Sequence, residues 1–126
     1  MTVYVDDANI PFGSMIMSHM WADTDHELLA MADAIEVKRK WIQGHPTLSL
    51  PRYRKASWVH FDISHGKKKL ALRKGAVLTD KFGPAEHEAR RKGDTAMLER
   101  IEASRALRAP TALPDRTEPQ QGALAV

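Results

Sequence analysis

The sequence predicts a small α/β domain: a mostly parallel, three-stranded sheet with flanking helices, followed by a C-terminal helix and a flexible tail. The first observation behind this prediction is a set of three short apolar segments, residues 2–5, 58–63 and 76–79, which are rich in side chains typical of strands. The second is that segments with helical periodicity lie between them. Strands that alternate with helices favour parallel pairing through crossover connections.

The two helices between the predicted strands have clear start signals. Thr24 is followed three residues later by Glu27, a capping box that predicts a helix ending near Glu36. Ser64 is a typical N-cap for the second helix, which ends at Gly75.

The other segments are assigned from their helix breakers and periodicity. Residues 9–14 contain a proline and a glycine and are expected to form a loop, and the apolar run 15–21 is interrupted by a histidine and receives no strand assignment. Residues 38–56 are expected to be irregular, and two further helices are expected at 84–92 and 94–107. These elements divide the chain into an α/β core at residues 1–93, a C-terminal helix at 94–108 and a flexible tail at 109–126.

Composition excludes several classes of protein. The 126 residues include no cysteine, which excludes a disulfide framework, a thiolate zinc site and a cysteine nucleophile. Residues 1–7 lack the features of a secretory signal, and no apolar run approaches the roughly 20 residues that a transmembrane helix needs. We therefore expect a cytoplasmic protein with no membrane partner.

Charge is distributed unevenly along the chain. Residues 1–37 carry seven acidic side chains and no lysine or arginine, whereas residues 38–74 carry eleven basic side chains and one acidic one, Asp62. A segment this basic attracts a phosphate-bearing partner or the acidic first third of a second copy. The alternative is a solvated basic face that pairs with the acidic third of the same chain.

Polar side chains follow each predicted strand. They are Asp6 and Asp7 after the first strand, Asp62 and Ser64 at the end of the second, and Asp80 after the third. Because the carboxyl ends of parallel strands meet at one edge of a sheet, we expect these side chains to share one rim, where ligands bind in open α/β sheets. His19, which precedes the first helix, could reach the same rim. His60 and Asp62 lie two residues apart and so share one face of the second strand.

Several of these residues occur in motifs that resemble a known family. The motifs are Val3-Tyr4-Val5-Asp6, Met17-Ser18-His19-Met20, Asp23-Thr24, Glu27-Leu28, His60-Phe61-Asp62-Ile63-Ser64 and Gly75-Ala76-Val77. Over residues 2–82 the chain resembles a family of small bacterial and phage domains of uncharacterised function. The resemblance implies that the family's polar positions fall on Asp6, His19, Asp23, His60 and Asp62, and it carries over no activity. The basic insertion at 43–56 and the C-terminal extension depart from the shorter members.

The residues favour binding of a phosphate-bearing, nucleotide-like small molecule at the rim. Ser64 begins a helix whose N–H groups suit an anion, and Lys67 and Lys68 add positive charge. The preceding segment adds further cations and a stacking surface: Arg52, Tyr53 and Arg54. On this hypothesis the ligand is oriented by Asp6, His19, His60 and Asp62. The resemblance to phage domains extends the hypothesis to a protein that sequesters or degrades a nucleotide signal in the host cytoplasm.

The first alternative is an enzyme. His19 and His60 could act as the general acid and base of a phosphodiesterase or nuclease, with lysines stabilising the charge. Two imidazoles and carboxylates are also acceptable ligands for zinc or manganese. No spacing matches a metal signature such as His-Glu-x-x-His, so the sequence assigns no metal ligand and no cofactor.

The second alternative is a nucleic-acid-binding or structural adaptor protein. Residues 38–41 and 52–55 interleave cations with aromatic side chains, as single-strand binders do. In an adaptor, the predicted C-terminal helix would pair with a second copy to form a homo-oligomer.

Overall fold

A computed structural model describes residues 2–112 of the chain, with side chains described as far as Leu107. The strands are β1 (Val3–Val5), β2 (Ile10–Phe12), β3 (Met15–Ala22), β4 (Phe61–Ser64) and β5 (Val77–Leu78). The helices are α1 (Asp25–Ala34), α2 (His65–Arg73), α3 (Gly83–Lys92) and α4 (Thr95–Ala112). The long connection between α1 and β4 contains two 3₁₀ turns, Arg39–Trp41 and Pro51–Tyr53.

The longest strand, β3, lies at the centre of the sheet. It pairs antiparallel with β1, β2 and β4, and β1 also pairs in parallel with β5. Met20 has Val5 as its partner on one side and Phe61 on the other, so β1 and β4 flank β3. The α/β class is confirmed, but the prediction of a mostly parallel, three-stranded sheet was wrong: the sheet has five strands and is mostly antiparallel.

The error comes from the hairpin formed by β2 and β3, which the sequence did not reveal. Gly13 has a φ of 61° at its turn, a conformation that glycine adopts without strain. In β3, Ser18 and Met20 are buried on one face of the sheet while His19 and Trp21 lie on the other. Residues 18–21 are largely covered on both faces of the strand. Their sequence therefore lacks the alternation of polar and apolar side chains that indicates a strand with one exposed face.

The two strands expected to form the rim run in the same direction but are not neighbours. Both β1 and β4 are antiparallel to β3, which lies between the strand ends at Asp6 and Ser64. His19 therefore belongs to the middle of a strand rather than to the approach to α1.

Helices α1 and α2 begin where the sequence predicts. Thr24 accepts a hydrogen bond from the backbone N–H of Glu27, and Ser64 accepts one from the backbone N–H of Lys67, so both N-caps are confirmed. The apolar sides of these helices and one face of the sheet form the core, whose fully buried members include Val5, Met20, Leu28, Ile35, Phe61, Ile63 and Ala71. The opposite face of the sheet carries the polar and aromatic side chains considered below.

The described chain divides into two compact units between Pro84 and Ala85, in the first turn of α3. In the second unit Ala89 and Ile101 are buried, and Arg105 forms an ion pair with Glu86 at 3.0 Å. Helix α4 continues to Ala112, beyond its predicted end. Residues 113–126 of the predicted tail lie outside the described residues, and the domain boundaries at 93 and 108 stay predictions. Within residues 2–112, no helix combines the length and apolar character needed to cross a membrane.

Candidate functional site

The end of β1 brings a buried carboxylate against a histidine of β3. The backbone N–H of His19 donates to Oδ1 of Asp6 at 2.9 Å, and Nδ1 of the same histidine lies 2.7 Å from Oδ2. Asp6 is only 1% exposed. A carboxylate can only accept, so Nδ1 of His19 carries the proton and Nε2 is the ring atom left for other partners.

On the other side of β3, strand β4 contributes a second carboxylate, Asp62, and the residue just before the strand contributes a second histidine, His60. His19 and Asp62 are partners in the β3–β4 register, with His19 Nε2 3.9 Å from Asp62 Oδ1. The Nε2 atom of His60 lies 3.4 Å from the same Oδ1 atom, and the two imidazole rings are 5.4 Å apart. We call Asp6, His19, His60 and Asp62 the histidine cluster. The structure thus brings together four of the residues that the sequence singled out.

Aromatic rings enclose one side of the histidine cluster. Trp58 stacks on His60 with the ring centroids 4.1 Å apart and the planes 13° from parallel. It also lies 5.6 Å from the ring of His19 and 5.5 Å from that of Trp21. The carbonyl oxygen of Trp58 is 3.2 Å from Nδ1 of His60. This residue therefore fixes both the plane and the tautomer of the His60 ring, because a carbonyl can only accept.

The loop before β4 is attached to the cluster through Gln43 and Gly44. Gln43 and His60 exchange two backbone hydrogen bonds, at 2.8 and 3.1 Å, and Gln43 Nε2 donates to Asp62 Oδ2 at 2.8 Å. Gly44 has a φ of 77°, and a Cβ at this position would overlap the carbonyl oxygen of Trp58. Sequence reasoning missed the role of Gln43, because its contact depends on pairing between residues far apart in the chain.

The contacts within the cluster shift its pKa values in definite directions. The hydrogen bond with Asp6 raises the pKa of His19, with burial acting in the opposite sense. Burial acts to raise the pKa of Asp6, but hydrogen bonds from the side chain and backbone of His19 outweigh it and leave that pKa lowered. The pKa of Asp62 is lowered in the same way, since its contacts with His60 and Gln43 outweigh burial. Both carboxylates are therefore ionised at neutral pH.

A cavity of about 480 Å³ lies beside the histidine cluster, and its lining includes Asp62 of the cluster and Gln43, which donates to Asp62. Its other lining residues are mostly apolar or aromatic: Ile10, Phe12, Met15, Met17, Ser18, Val37, Trp41 and Tyr53. The rings of Trp41 and Tyr53 are 6.3 Å apart, and each has a cation against it. Lys40 Nζ lies 4.9 Å from the ring centre of Trp41, and Arg52 Cζ lies 4.9 Å from that of Tyr53.

The two lysines of the predicted phosphate-binding helix start donate hydrogen bonds to other parts of the chain. Lys67 Nζ donates to the carbonyl of Ile35 at 2.9 Å. Lys68 is 7% exposed, and its Nζ donates to the Asp6 carbonyl at 3.3 Å and to Ser18 Oγ at 3.1 Å. Successive strand residues point to opposite faces, so this ammonium is on the face away from His19. These contacts attach α2 to the sheet and to α1, and phosphate binding by Ser64, Lys67 and Lys68 stays a prediction.

Two other residues named from the sequence make structural contacts. Asp23 accepts from the backbone N–H of Thr2 at 2.9 Å and from the Tyr4 hydroxyl at 3.1 Å, which ties the end of β3 to β1. Arg54 Nε donates to the carbonyl of Ser49 at 2.9 Å. Both residues lie in the segment 44–59 between Gln43 and His60, which we call the basic loop. Of the predicted loop residues, Tyr53 lines the cavity and Arg52 lies against its ring.

Comparison with known proteins identifies a family but no characterised relative. A search of the curated proteins and a search of the solved structures each gave no significant match. A family model matches residues 3–91, a range that includes all five strands and the whole histidine cluster. Because that match spans well over half of the sequence, the chain belongs to the family described as "Protein of unknown function (DUF4031)".

Proposed function

We propose that this protein binds a nucleotide-like, phosphate-bearing small molecule in the cavity beside the histidine cluster. The observation that carries the proposal is the paired aromatic wall of Trp41 and Tyr53, with a cation against each ring. The cavity volume of about 480 Å³ falls within the range of roughly 300–1,000 Å³ that is usual for small-molecule sites. A few polar groups among apolar walls are also typical of such sites.

The distribution of charge suggests how such a ligand would lie. A flat base stacks favourably on Trp41 or Tyr53, and a phosphate attached to it comes within reach of Lys40 and Arg52. The Asp62 carboxylate lines another part of the cavity and repels phosphate, but it accepts hydrogen bonds from hydroxyl groups. A ribose therefore suits the side near Asp62, as carboxylates bind ribose hydroxyls in other nucleotide sites.

A second candidate function, hydrolysis of a phosphodiester, is favoured by the 2.7 Å contact between His19 and Asp6. In this mechanism His60 Nε2 takes a proton from the attacking water as the new bond to phosphorus forms. His19, which Asp6 holds and whose pKa it raises, gives a proton to the leaving oxygen as the ester bond breaks. The water oxygen ends on phosphorus and the leaving group departs as an alcohol.

The test is a binding assay on the full chain with ATP, AMP, a cyclic dinucleotide and a single-stranded oligonucleotide. Binding is measured by isothermal titration calorimetry, whose signal does not depend on the tryptophan that the test removes. Because base stacking on an aromatic ring is worth about 1–3 kcal/mol, Trp41→Ala should weaken nucleotide binding by about 5- to 150-fold. Leu48→Ala is the matched control, since Leu48 is an exposed apolar residue of the same loop and is not among the residues that line the cavity. Equal affinities for the two variants, or no nucleotide binding by the wild type, would overturn the proposal.

Mass spectrometry of the bound and free pools separates binding from hydrolysis. A binding protein with His19→Ala or His60→Ala returns its ligand unchanged, with lower affinity. An enzyme converts the ligand in the wild type and loses turnover in both variants. Preference for the oligonucleotide over every mononucleotide would favour the single-stranded nucleic-acid alternative.

A further inference from the structure

We propose that His19, His60 and Asp62 form a binding site for a divalent transition-metal ion. Their candidate ligand atoms, one from each side chain, all lie within 4.8 Å of one another. Two imidazoles and one carboxylate on one side of an ion leave positions open for water or a substrate oxygen, a set used by zinc and non-haem iron sites. This inference goes beyond the proposed binding function and does not rest on it, and it excludes the metal-free acid–base mechanism, because the same Nε2 atoms cannot hold an ion and transfer a proton.

The hydrogen bonds around the two histidines select the ring nitrogens that a metal needs. His19 donates Nδ1–H to the Asp6 carboxylate at 2.7 Å, and His60 donates Nδ1–H to the Trp58 carbonyl at 3.2 Å. In both rings this leaves Nε2 as the atom that can offer a lone pair. Metal-binding histidines almost always donate their other N–H to a carboxylate or a backbone carbonyl in this way.

The third ligand is oriented by the same kind of contact. Gln43 Nε2 donates to Oδ2 of Asp62 at 2.8 Å, which turns Oδ1 toward the two histidines. Oδ1 is the carboxylate atom measured at 3.4 Å from His60 Nε2 and 3.9 Å from His19 Nε2. Each of the three proposed ligands therefore has its own supporting partner.

The spacing between these atoms is better suited to a metal ion than to a shared proton. A charge-assisted hydrogen bond between nitrogen and a carboxylate oxygen is about 2.7–2.9 Å long, shorter than either contact of Oδ1. With neutral rings, lone pairs on Nε2 and Oδ1 face one another and repel unless a cation lies between them. Zinc with ligands at about 2.0–2.1 Å holds neighbouring ligand atoms about 3.3 Å apart in a tetrahedron. The three ligand atoms, which lie within 4.8 Å of one another, must draw closer together when an ion binds, and Asp62, whose side chain is 42% exposed, is placed to rotate toward it.

An ion at this position would also change the charge beside the cavity. Asp62 lines both the proposed metal site and the cavity, and its carboxylate alone repels a phosphate. A divalent cation bound to Asp62 reverses the sign of the local charge and offers a coordination position to a phosphate oxygen. The metal site would therefore make this side of the cavity compatible with an anionic ligand.

Zinc binding to the full chain tests the inference without any nucleotide. The protein is first freed of metal with EDTA and then titrated with Zn²⁺ by calorimetry, and with Co²⁺ by visible absorption, which reports the coordination geometry. We expect one ion per chain. Asp62→Asn should weaken Zn²⁺ binding by at least about tenfold, and His60→Ala should do the same. Gln43→Ala removes only the supporting contact, and it should weaken Zn²⁺ binding by at most about 100-fold.

Two matched controls keep the result specific. His26→Gln removes an exposed histidine of α1, and Asp7→Asn removes the exposed carboxylate next to Asp6, so both should leave Zn²⁺ affinity unchanged. If His60→Ala fails to fold, Asp62→Asn decides the question, because it is isosteric and half-exposed. Absence of saturable Zn²⁺ binding, or equal affinity in Asp62→Asn and His26→Gln, overturns the proposal. Because the probe is the ion alone, failure of nucleotide binding leaves this result unaffected.

Discussion

Asp6 contacts His19 twice, through the backbone N–H at 2.9 Å and through ring Nδ1 at 2.7 Å. The same carboxylate therefore continues the pairing of β1 with β3 beyond Val5 and fixes the imidazole at the surface of the sheet. Because Asp6 is buried and its pKa is lowered, it is a fixed negative charge that favours the protonated form of His19. This coupling makes the stability of the protein depend on pH.

We expect the free energy of unfolding to fall as the pH rises through the raised pKa of His19. A histidine whose pKa is raised in the folded state contributes stability that is fully present below its ordinary pKa of 6.5 and is lost above its folded value. The lowered pKa of Asp6 contributes stability that is present above 3.8 and is lost as the pH falls through its folded value. Urea unfolding at a series of pH values from acidic to alkaline, with EDTA present to remove metal ions, measures both effects.

Asp6→Asn is the variant that isolates this pair. It removes the charge and keeps one oxygen acceptor for the backbone N–H of His19, while its amide NH₂ replaces the oxygen beside Nδ1. Because a neutral imidazole can accept from that NH₂ and a protonated one cannot, the difference in stability between wild type and variant should shrink as the pH rises from about 6 to about 9. A difference that stays constant over that interval would show that the charge of Asp6 does not act on His19.

Lys68 should stabilise the folded protein through its buried ammonium group, although its place on a basic helix suggests a ligand-binding lysine. Lys68→Met keeps the apolar stem but leaves the Asp6 carbonyl and the Ser18 hydroxyl without the ammonium donor. The loss of a buried hydrogen-bonding partner costs about 1–3 kcal/mol, which urea unfolding resolves. Lys69→Met is the control, because Lys69 is the exposed neighbour and surface substitutions usually change stability by within about 0.5 kcal/mol. Equal effects of the two substitutions would contradict this account.

Gly44 should tolerate a methyl group less well than Gly13 does. Both glycines have positive φ, so alanine at either position costs roughly 1–2 kcal/mol in backbone strain. At Gly13 a Cβ has no atom within 4 Å, whereas at Gly44 it overlaps the Trp58 carbonyl. We expect Gly44→Ala to lose a further 1–3 kcal/mol or so from overpacking and to shift the NMR signals of the His60 ring. If the two variants are equally stable, the close approach to Trp58 is not a constraint.

The cations beside the aromatic wall should determine the salt dependence of nucleotide binding. Lys40→Gln and Arg52→Gln should each weaken ATP binding several-fold at low salt, and the difference from wild type should diminish at high salt because the charges are screened. Lys69→Gln is the control, since it removes an exposed charge from α2. Isothermal titration at two ionic strengths measures the effect, and a loss as large in the control would mean that only net charge matters.

The parts of the site that could be predicted are those set by local rules. The period-two alternation of residues 58–63 predicted that His60 and Asp62 share one face, and the residue type and spacing at Thr24 and Ser64 predicted both N-caps. Asp6 was singled out because it follows a short apolar strand. Each of these inferences needs only a few neighbouring residues.

The parts that could not be predicted depend on contacts between distant segments. Strand β3 was not predicted, because one of its faces buries Ser18 and Met20 while the other carries His19 and Trp21. Without β3, the sheet was predicted to be mostly parallel, whereas β1 and β4 each pair antiparallel with β3. The contact of Gln43 with Asp62 joins positions 19 residues apart. A lysine near a helix start also looks the same in sequence whether its ammonium meets a ligand or, as with Lys68, two acceptors of its own chain.

The bridge between Gln43 and His60 means that the intervening basic loop leaves and rejoins the sheet at nearly the same point. Closing a longer loop between fixed ends adds only about 0.6 kcal/mol for each doubling of its length. Residues 45–55, which include Tyr53, can therefore vary in length while the histidines and carboxylates keep their positions. Tyr53 can thus change without moving the histidine cluster, whereas Trp58 lies in the same loop and cannot, because it stacks on the His60 ring.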